Sequence, residues 1–238
     1  MSFLIFYRNL IAFVISFKQK CRKMEMTILA INLTDYYWFE FWKVLVHKRR
    51  RRNTVVMNNL FDIDYYRATG KEWKYYKVIR LYNNIGLKYF FLLRKESTSN
   101  IPLIYRFFRL RMQKKYGLDI NCTNFGPGMV IGHPHNISIN SNAIIGKNLT
   151  IQNGVTIGKD FRGKRCGTPQ IGDNVYIGPN ATIVGRVKIG SDVLIAPNTF
   201  VNFDVPDHSI VIGVPGKIVY RNGATEGFIL NEIKKNYI

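Results

Sequence analysis

Apolar side chains return every six positions through the second half of this chain. One run is Ile139, Ile145, Ile151 and Ile157, and a second is Ile171, Ile177, Ile183, Ile189, Ile195 and Val201. An earlier pair is Phe125 and Ile131. An α-helix cannot keep such a stripe on one face, because six steps of about 100° miss a whole number of turns by about 240°. A short strand, a tight turn and a further strand can. Each six-residue unit then forms one side of a triangular coil, and stacked coils bury the isoleucines in a continuous interior. A small residue often follows the repeat position: Gly126, Gly132, Gly146, Gly158, Gly172, Gly178, Gly190 and Ala196. That suits a corner, where space is short. Four places after the repeat residue stands a small or β-branched side chain: Ala143, Val155, Val175, Ala181, Val187, Val193 or Thr199.

The period breaks twice. The step from Ile131 to Ile139 is eight positions, and the excess falls on His133-Pro134-His135-Asn136. The step from Ile157 to Ile171 is fourteen, which inserts a basic loop, Lys159 to Gln170, carrying Arg162, Lys164, Arg165, Cys166 and Thr168. A regular coil needs neither insertion, and loops displaced from a rigid scaffold are where chemistry concentrates.

The rest of the 238 residues has another grammar. Residues 57–118 are expected to be α-helical. Asp64 and Thr69-Gly70 are read as punctuating the start, with apolar and basic residues from Trp73 to Asn83 at three-to-four spacing. Ser97–Pro102 is a turn-rich break, with Pro102 suited to a first helical position, and Gly117 is a helix stop. Residues 1–56 form a basic, aromatic extension, and residues 221–238 a C-terminal tail. Two readings stay open for the extension: an amphipathic segment on a membrane surface, or a piece outside the folded unit, with the functional chain beginning near Met57.

Charge follows the same division. The net charge is +20, yet residues 119–238 hold 11 basic and 8 acidic side chains. The basic first half suits contact with a polyanion: an anionic membrane surface or nucleic acid. No nucleic-acid recognition motif accompanies the charge, so no specific nucleic acid is expected. No uninterrupted run of 18 apolar residues exists, the stretch Phe3–Phe17 being broken by Arg8 and Asn9. Three widely spaced cysteines, Cys21, Cys122 and Cys166, argue against a disulfide framework or a zinc site and for a reducing compartment. The expected location is cytoplasmic, with peripheral membrane contact through the basic half.

The ladder and its flanking motifs resemble the left-handed parallel β-helix (hexapeptide-repeat) acyltransferases. Within that superfamily they are most similar to the serine O-acetyltransferase branch and its relatives in capsule and exopolysaccharide synthesis. The residues that carry the likeness are Tyr116-Gly117-Leu118-Asp119-Ile120, Phe125-Gly126-Pro127-Gly128-Met129-Val130-Ile131-Gly132-His133, Gly154-Val155-Thr156-Ile157-Gly158, Pro169 to Pro179, and the closing Gly213-Val214-Pro215-Gly216-Lys217. The fold implied is mainly β: a left-handed parallel β-helix over residues 119–220, preceded by an α-helical region.

The resemblance implies an O-acetyltransferase that is a homotrimer. It uses acetyl-CoA as acyl donor, without a metal, and acetylates a hydroxyl of L-serine or of a sugar in polysaccharide synthesis. His133 matches the family's catalytic histidine, the general base, with His135 as the rival. Asp119 matches the aspartate that orients it, although the stretch from Asp119 to Phe125 is one residue shorter than in the family. The implied coenzyme A contacts are Gly158, Gly178, Pro179, Ala196, Pro197 and Lys217, and the implied substrate contacts are Arg162, Arg165 and Thr168. Two departures bear on the acceptor. An aspartate precedes the histidine in serine acetyltransferases, where this chain has Gly132. An Arg-His pair precedes the proline after the loop, where it has Gly167-Thr168. Those residues help hold an amino acid, so their loss favours another hydroxyl. Two further classes use the same coil: a non-catalytic scaffold, and a carbonic-anhydrase-like lyase. The lyase needs three histidines on zinc, and of the four here (His47, His133, His135, His208) only two stand close together in sequence.

Overall fold

The computed structural model describes residues 60–73, 81, 84–120 and 124–233. The readings made for residues 1–56, and most of the helical pattern from Trp73 to Asn83, lie outside them. Among the described residues, three helices precede a left-handed parallel β-helix of about five turns.

Helices α1 (Leu60–Thr69), α2 (Ile85–Thr98) and α3 (Pro102–Tyr116) follow local signals. Asn84 caps α2 by accepting the Leu87 N–H at 2.9 Å. Pro102 stands in the first turn of α3, where its missing N–H leaves nothing unpaired. Gly117 ends α3 at φ 65°, a left-handed conformation that a side chain would strain. One expectation is corrected. Asp64 and Thr69-Gly70 do not open a helix: Asp64 lies mid-way along α1, and Thr69-Gly70 closes it, with Gly70 at φ 67°.

Aromatic rings fill the space between α1 and α2. Phe61 meets Phe91 edge-on at 4.9 Å and Trp73 at 5.1 Å. Beneath them lies a buried ion pair, Arg94 Nε donating to Asp64 Oδ2 at 3.0 Å. Asp64 Oδ1 accepts the backbone N–H groups of Gly128 (2.8 Å) and Met129 (3.2 Å), and Arg94 donates to the Gly126 carbonyl at 3.0 Å. Burial pushes the Asp64 carboxyl above its ordinary value, with Arg94 and the two N–H groups opposing. This cluster docks the helices on the first coil.

The β-helix has three faces. One holds β1 (Leu118–Ile120), β3 (Ile137–Ile139), β6 (Thr156–Gly158), β9 (Thr182–Val184) and β12 (Phe200–Val201). A second holds β4 (Ile144–Ile145), β7 (Gln170–Ile171) and β10 (Lys188–Ile189). The third holds β2 (Val130–Ile131), β5 (Thr150–Ile151), β8 (Val175–Ile177), β11 (Val193–Ile195), β13 (Ser209–Ile212) and β14 (Lys217–Tyr220), with only β14 antiparallel. The registers explain the period. Ile120, Ile139, Ile157, Ile183 and Val201 stack in one column. Ile131, Ile151, Ile177, Ile195 and Val211 stack in another, and Ile145, Ile171 and Ile189 in a third. All are buried. Corner glycines are small because coils meet there: a Cβ on Gly126 would lie 2.8 Å from the Gly146 backbone, and one on Gly172 2.8 Å from that of Gly190.

After β14 the chain doubles back. Asp192 accepts N–H groups of Ala224 (3.1 Å) and Thr225 (3.0 Å) and the Thr225 hydroxyl (2.8 Å). Phe228 packs on Tyr176 at 4.8 Å, and Asn174 donates to Glu232 at 2.7 Å. Asn148 brackets Ile233, donating to its carbonyl (3.2 Å) and accepting its N–H (3.1 Å). Arg67 of α1 donates to the Leu230 carbonyl and, at 2.9 Å, to the Thr150 hydroxyl. Asn148, Asn174, Asp192 and His208 are all left-handed turn residues, and the returning strap is bonded to three of them in succession.

Candidate active site

Gly132 to Asn136 turn the chain from β2 into β3. His133 stands in this turn, exposed, with φ 50°. Its carbonyl accepts the His135 N–H at 2.8 Å, and the His135 ring lies edge-on to Tyr116 at 5.4 Å. Asn136 donates its N–H to the Tyr116 carbonyl at 2.9 Å. The two extra residues therefore let the first coil meet the end of α3 and leave the His133 ring outside. Gly132 has a local reason to be glycine: a Cβ there would collide with the Gln152 side-chain amide of the next coil.

The same prism edge continues upward through Gly178, Pro179, Ala196 and Pro197, which turn β8 into β9 and β11 into β12. Four of the six residues expected at coenzyme A thus share one edge with His133. Gly178 is glycine for packing, since a Cβ would lie 2.7 Å from the Pro197 nitrogen. Gly158 differs. It sits at the other edge of the five-stranded face, and a Cβ there would meet only the Val184 and Thr156 side chains, at 3.2 Å or more. Lys217 opens β14 at the far end of the solenoid, exposed and in register with Ile212.

A cleft of about 280 Å³ opens beside Gly158, lined by Asp119, Ser138, Ile139, Asn140, Ser141 and Ile157. Asp119 is the outward residue of β1, in register with Ser138 of β3. The sequence reading missed Ser138, Asn140 and Ser141. They stand at outward or turn positions of the unit that follows His133, where a solenoid carries polar residues in any case. His133 itself is not among the lining residues, since it stands at one end of β3 and Asn140 and Ser141 at the other.

The inserted loop folds on itself through an antiparallel bridge between Asp160 and Gly167. Arg162 is exposed, and its N–H donates to Asp160 Oδ1 at 3.0 Å. Arg165 is drawn toward Asp204 at 3.4 Å, and Thr168 donates to the Asn142 carbonyl at 3.1 Å. Arg165 and Thr168 thus hold the loop against its neighbours in this structure. Cys166 is exposed. Among the described residues, no three His, Cys, Asp or Glu side chains converge as a metal site, and no helix is long and apolar enough to cross a membrane.

Residues 168–202 match the bacterial transferase hexapeptide (six repeats) family model. The solenoid is of the hexapeptide-repeat kind. The chain is 37% identical over 130 residues to a serine acetyltransferase of Staphylococcus aureus, covering 53% of this chain and 57% of the relative. It is 29% identical over 210 residues to serine acetyltransferase 4 of Arabidopsis thaliana, covering 86% of this chain and 56% of the relative. The crystal structure of Neisseria gonorrhoeae serine acetyltransferase superposes with a TM-score of 0.53 at 31% identity, over 68% of this chain and 66% of that one. The chain therefore spans little more than half the length of the curated relatives it matches.

Proposed function

We propose that this protein is an acyltransferase that moves an acetyl group from acetyl-CoA to an acceptor hydroxyl. The observation that carries the reading is the pairing of two features on one hexapeptide solenoid. One is an exposed imidazole on a turn that breaks the repeat. The other is a polar cleft at the opposite end of the following strand. In the proposed step the His133 ring takes the proton of the acceptor hydroxyl as that oxygen bonds to the thioester carbonyl carbon. The tetrahedral adduct collapses, the carbon–sulfur bond breaks, and the imidazolium returns its proton to the departing thiolate. The products are the acetyl ester and free coenzyme A, and no covalent enzyme intermediate is needed. Asp119, which lines the cleft, is the proposed positioning residue for an imidazole that a neighbouring copy brings to it. Ser138, Asn140 and Ser141 offer hydroxyl and amide groups to the acceptor, while Arg162 and Lys217 offer charge to phosphate.

The imidazole and the cleft lie at opposite ends of β3, so a ring of copies would bring one protomer's histidine edge to the next protomer's cleft edge. A homotrimer is the assembly we propose on that ground. The relatives' names favour serine as acceptor, whereas Gly132, Gly167 and Thr168 favour a hydroxyl without an amino-acid backbone, such as that of a sugar. Release of free thiol from acetyl-CoA with serine or a sugar acceptor separates the two. We expect His133→Ala to lower that rate by about 10²–10⁴-fold with the oligomer intact. An unchanged rate removes His133 from the mechanism.

A further inference from the structure

Helix α3 presents an apolar stripe to solvent. Leu103 is 76% exposed, Phe107 62% and Leu110 40%. At 100° per residue these three fall within an arc of about 60°. The opposite side of the helix carries Met112 and Arg109, both buried, with Arg109 bonded to Glu96 at 2.6 Å. The stripe is therefore the outward face of a helix whose inward face is already satisfied. Arg106 flanks it on one side, Arg111 on the other, and Lys114 continues it toward the C-terminal end, where Lys115 follows. All four are exposed, and no acidic residue occurs in Pro102–Tyr116.

We propose that α3 is a membrane-surface helix, lying on an anionic lipid headgroup layer with Leu103, Phe107 and Leu110 directed into the acyl boundary. A stripe of large apolar side chains bordered by cations is the pattern that binds such a layer, where each half alone binds weakly. Charge selects the lipid surface over pairing with the α3 of a second copy, because two such helices face to face would bring two purely cationic rows together. The proposal does not depend on the acyl-transfer reading.

The full-length protein is sedimented with vesicles of phosphatidylcholine alone and of phosphatidylcholine mixed with phosphatidylglycerol. Hydrogen exchange is followed over residues 102–116. Binding is expected only with the anionic vesicles, with protection gained in that helix. Two variants divide the contributions. Leu103→Ser/Phe107→Ser/Leu110→Ser and Arg106→Gln/Lys114→Gln should each lower vesicle binding by about tenfold or more, with thermal unfolding unchanged for at least the charge variant. Absence of binding by the wild type, binding without protection of 102–116, or undiminished binding by both variants overturns the proposal. So does a fall in oligomer mass in the apolar variant with vesicle binding retained, which would assign the stripe to a neighbouring copy.

Discussion

The solenoid and its helical base are held by opposite strategies. In the solenoid each coil repeats the contacts of the one below, so Ile177 rests between Ile151 and Ile195 much as Ile157 rests between Ile139 and Ile183. No single contact is special. At the base the reverse holds. One carboxylate, Asp64, satisfies Arg94 and two backbone N–H groups at once. Redundancy spreads the consequence of a change, and singularity concentrates it.

That contrast orders the expected effects. Asp64→Ala leaves a buried guanidinium and two backbone donors without their acceptor and should destabilise by about 3–5 kcal/mol in denaturant unfolding. A loss under about 1 kcal/mol would show that the base is as redundant as the coils. Next comes Asn148→Ala, which deprives the strap of both bonds at Ile233. We expect about 1–3 kcal/mol, along with faster proteolysis after residue 220. Ile177→Val removes one methyl from a column of five and should cost about 0.5–1.5 kcal/mol. An equal cost for Asn148→Ala and Ile177→Val would erase the distinction between strap and coil.

The smallest effect tests sign rather than size. Burial pushes the Asp62 carboxyl up to about 6, while Lys95 pulls it down. A carboxyl raised in the folded state adds stability below its unfolded value of 3.8, and that contribution is lost as pH rises through about 6. Asp62→Asn is neutral throughout. Its melting midpoint should therefore exceed the wild type's slightly at pH 8 and match it near pH 3.5. A larger gain at low pH would reverse the assignment.

How much of this was written in the sequence follows the same line. The coils were legible because a six-residue period repeats its message at every isoleucine, and the corner glycines, Pro102 and Gly117 act through their immediate neighbours. Asp64 and Arg94 were not paired, because they are 30 positions apart and no periodicity links them. The strap was read only as a tail, since Asn148, Asn174 and Asp192 look like ordinary turn residues until a second segment lies against them. In the site, His133 stood out as an interruption of the period. Ser138, Asn140 and Ser141 did not, since polar residues at outward positions are what any solenoid shows.

The strap also changes how the array can come apart. A stack of near-identical layers behaves as a one-dimensional chain whose end layers peel first. Here the segment leaving the last layer is tied to Asp192, then Asn174, then Asn148, and its penultimate stretch is gripped by Arg67 of α1. Peeling the top layer therefore tugs on layers far below it, and a ladder prone to fray is turned into a body that melts as one.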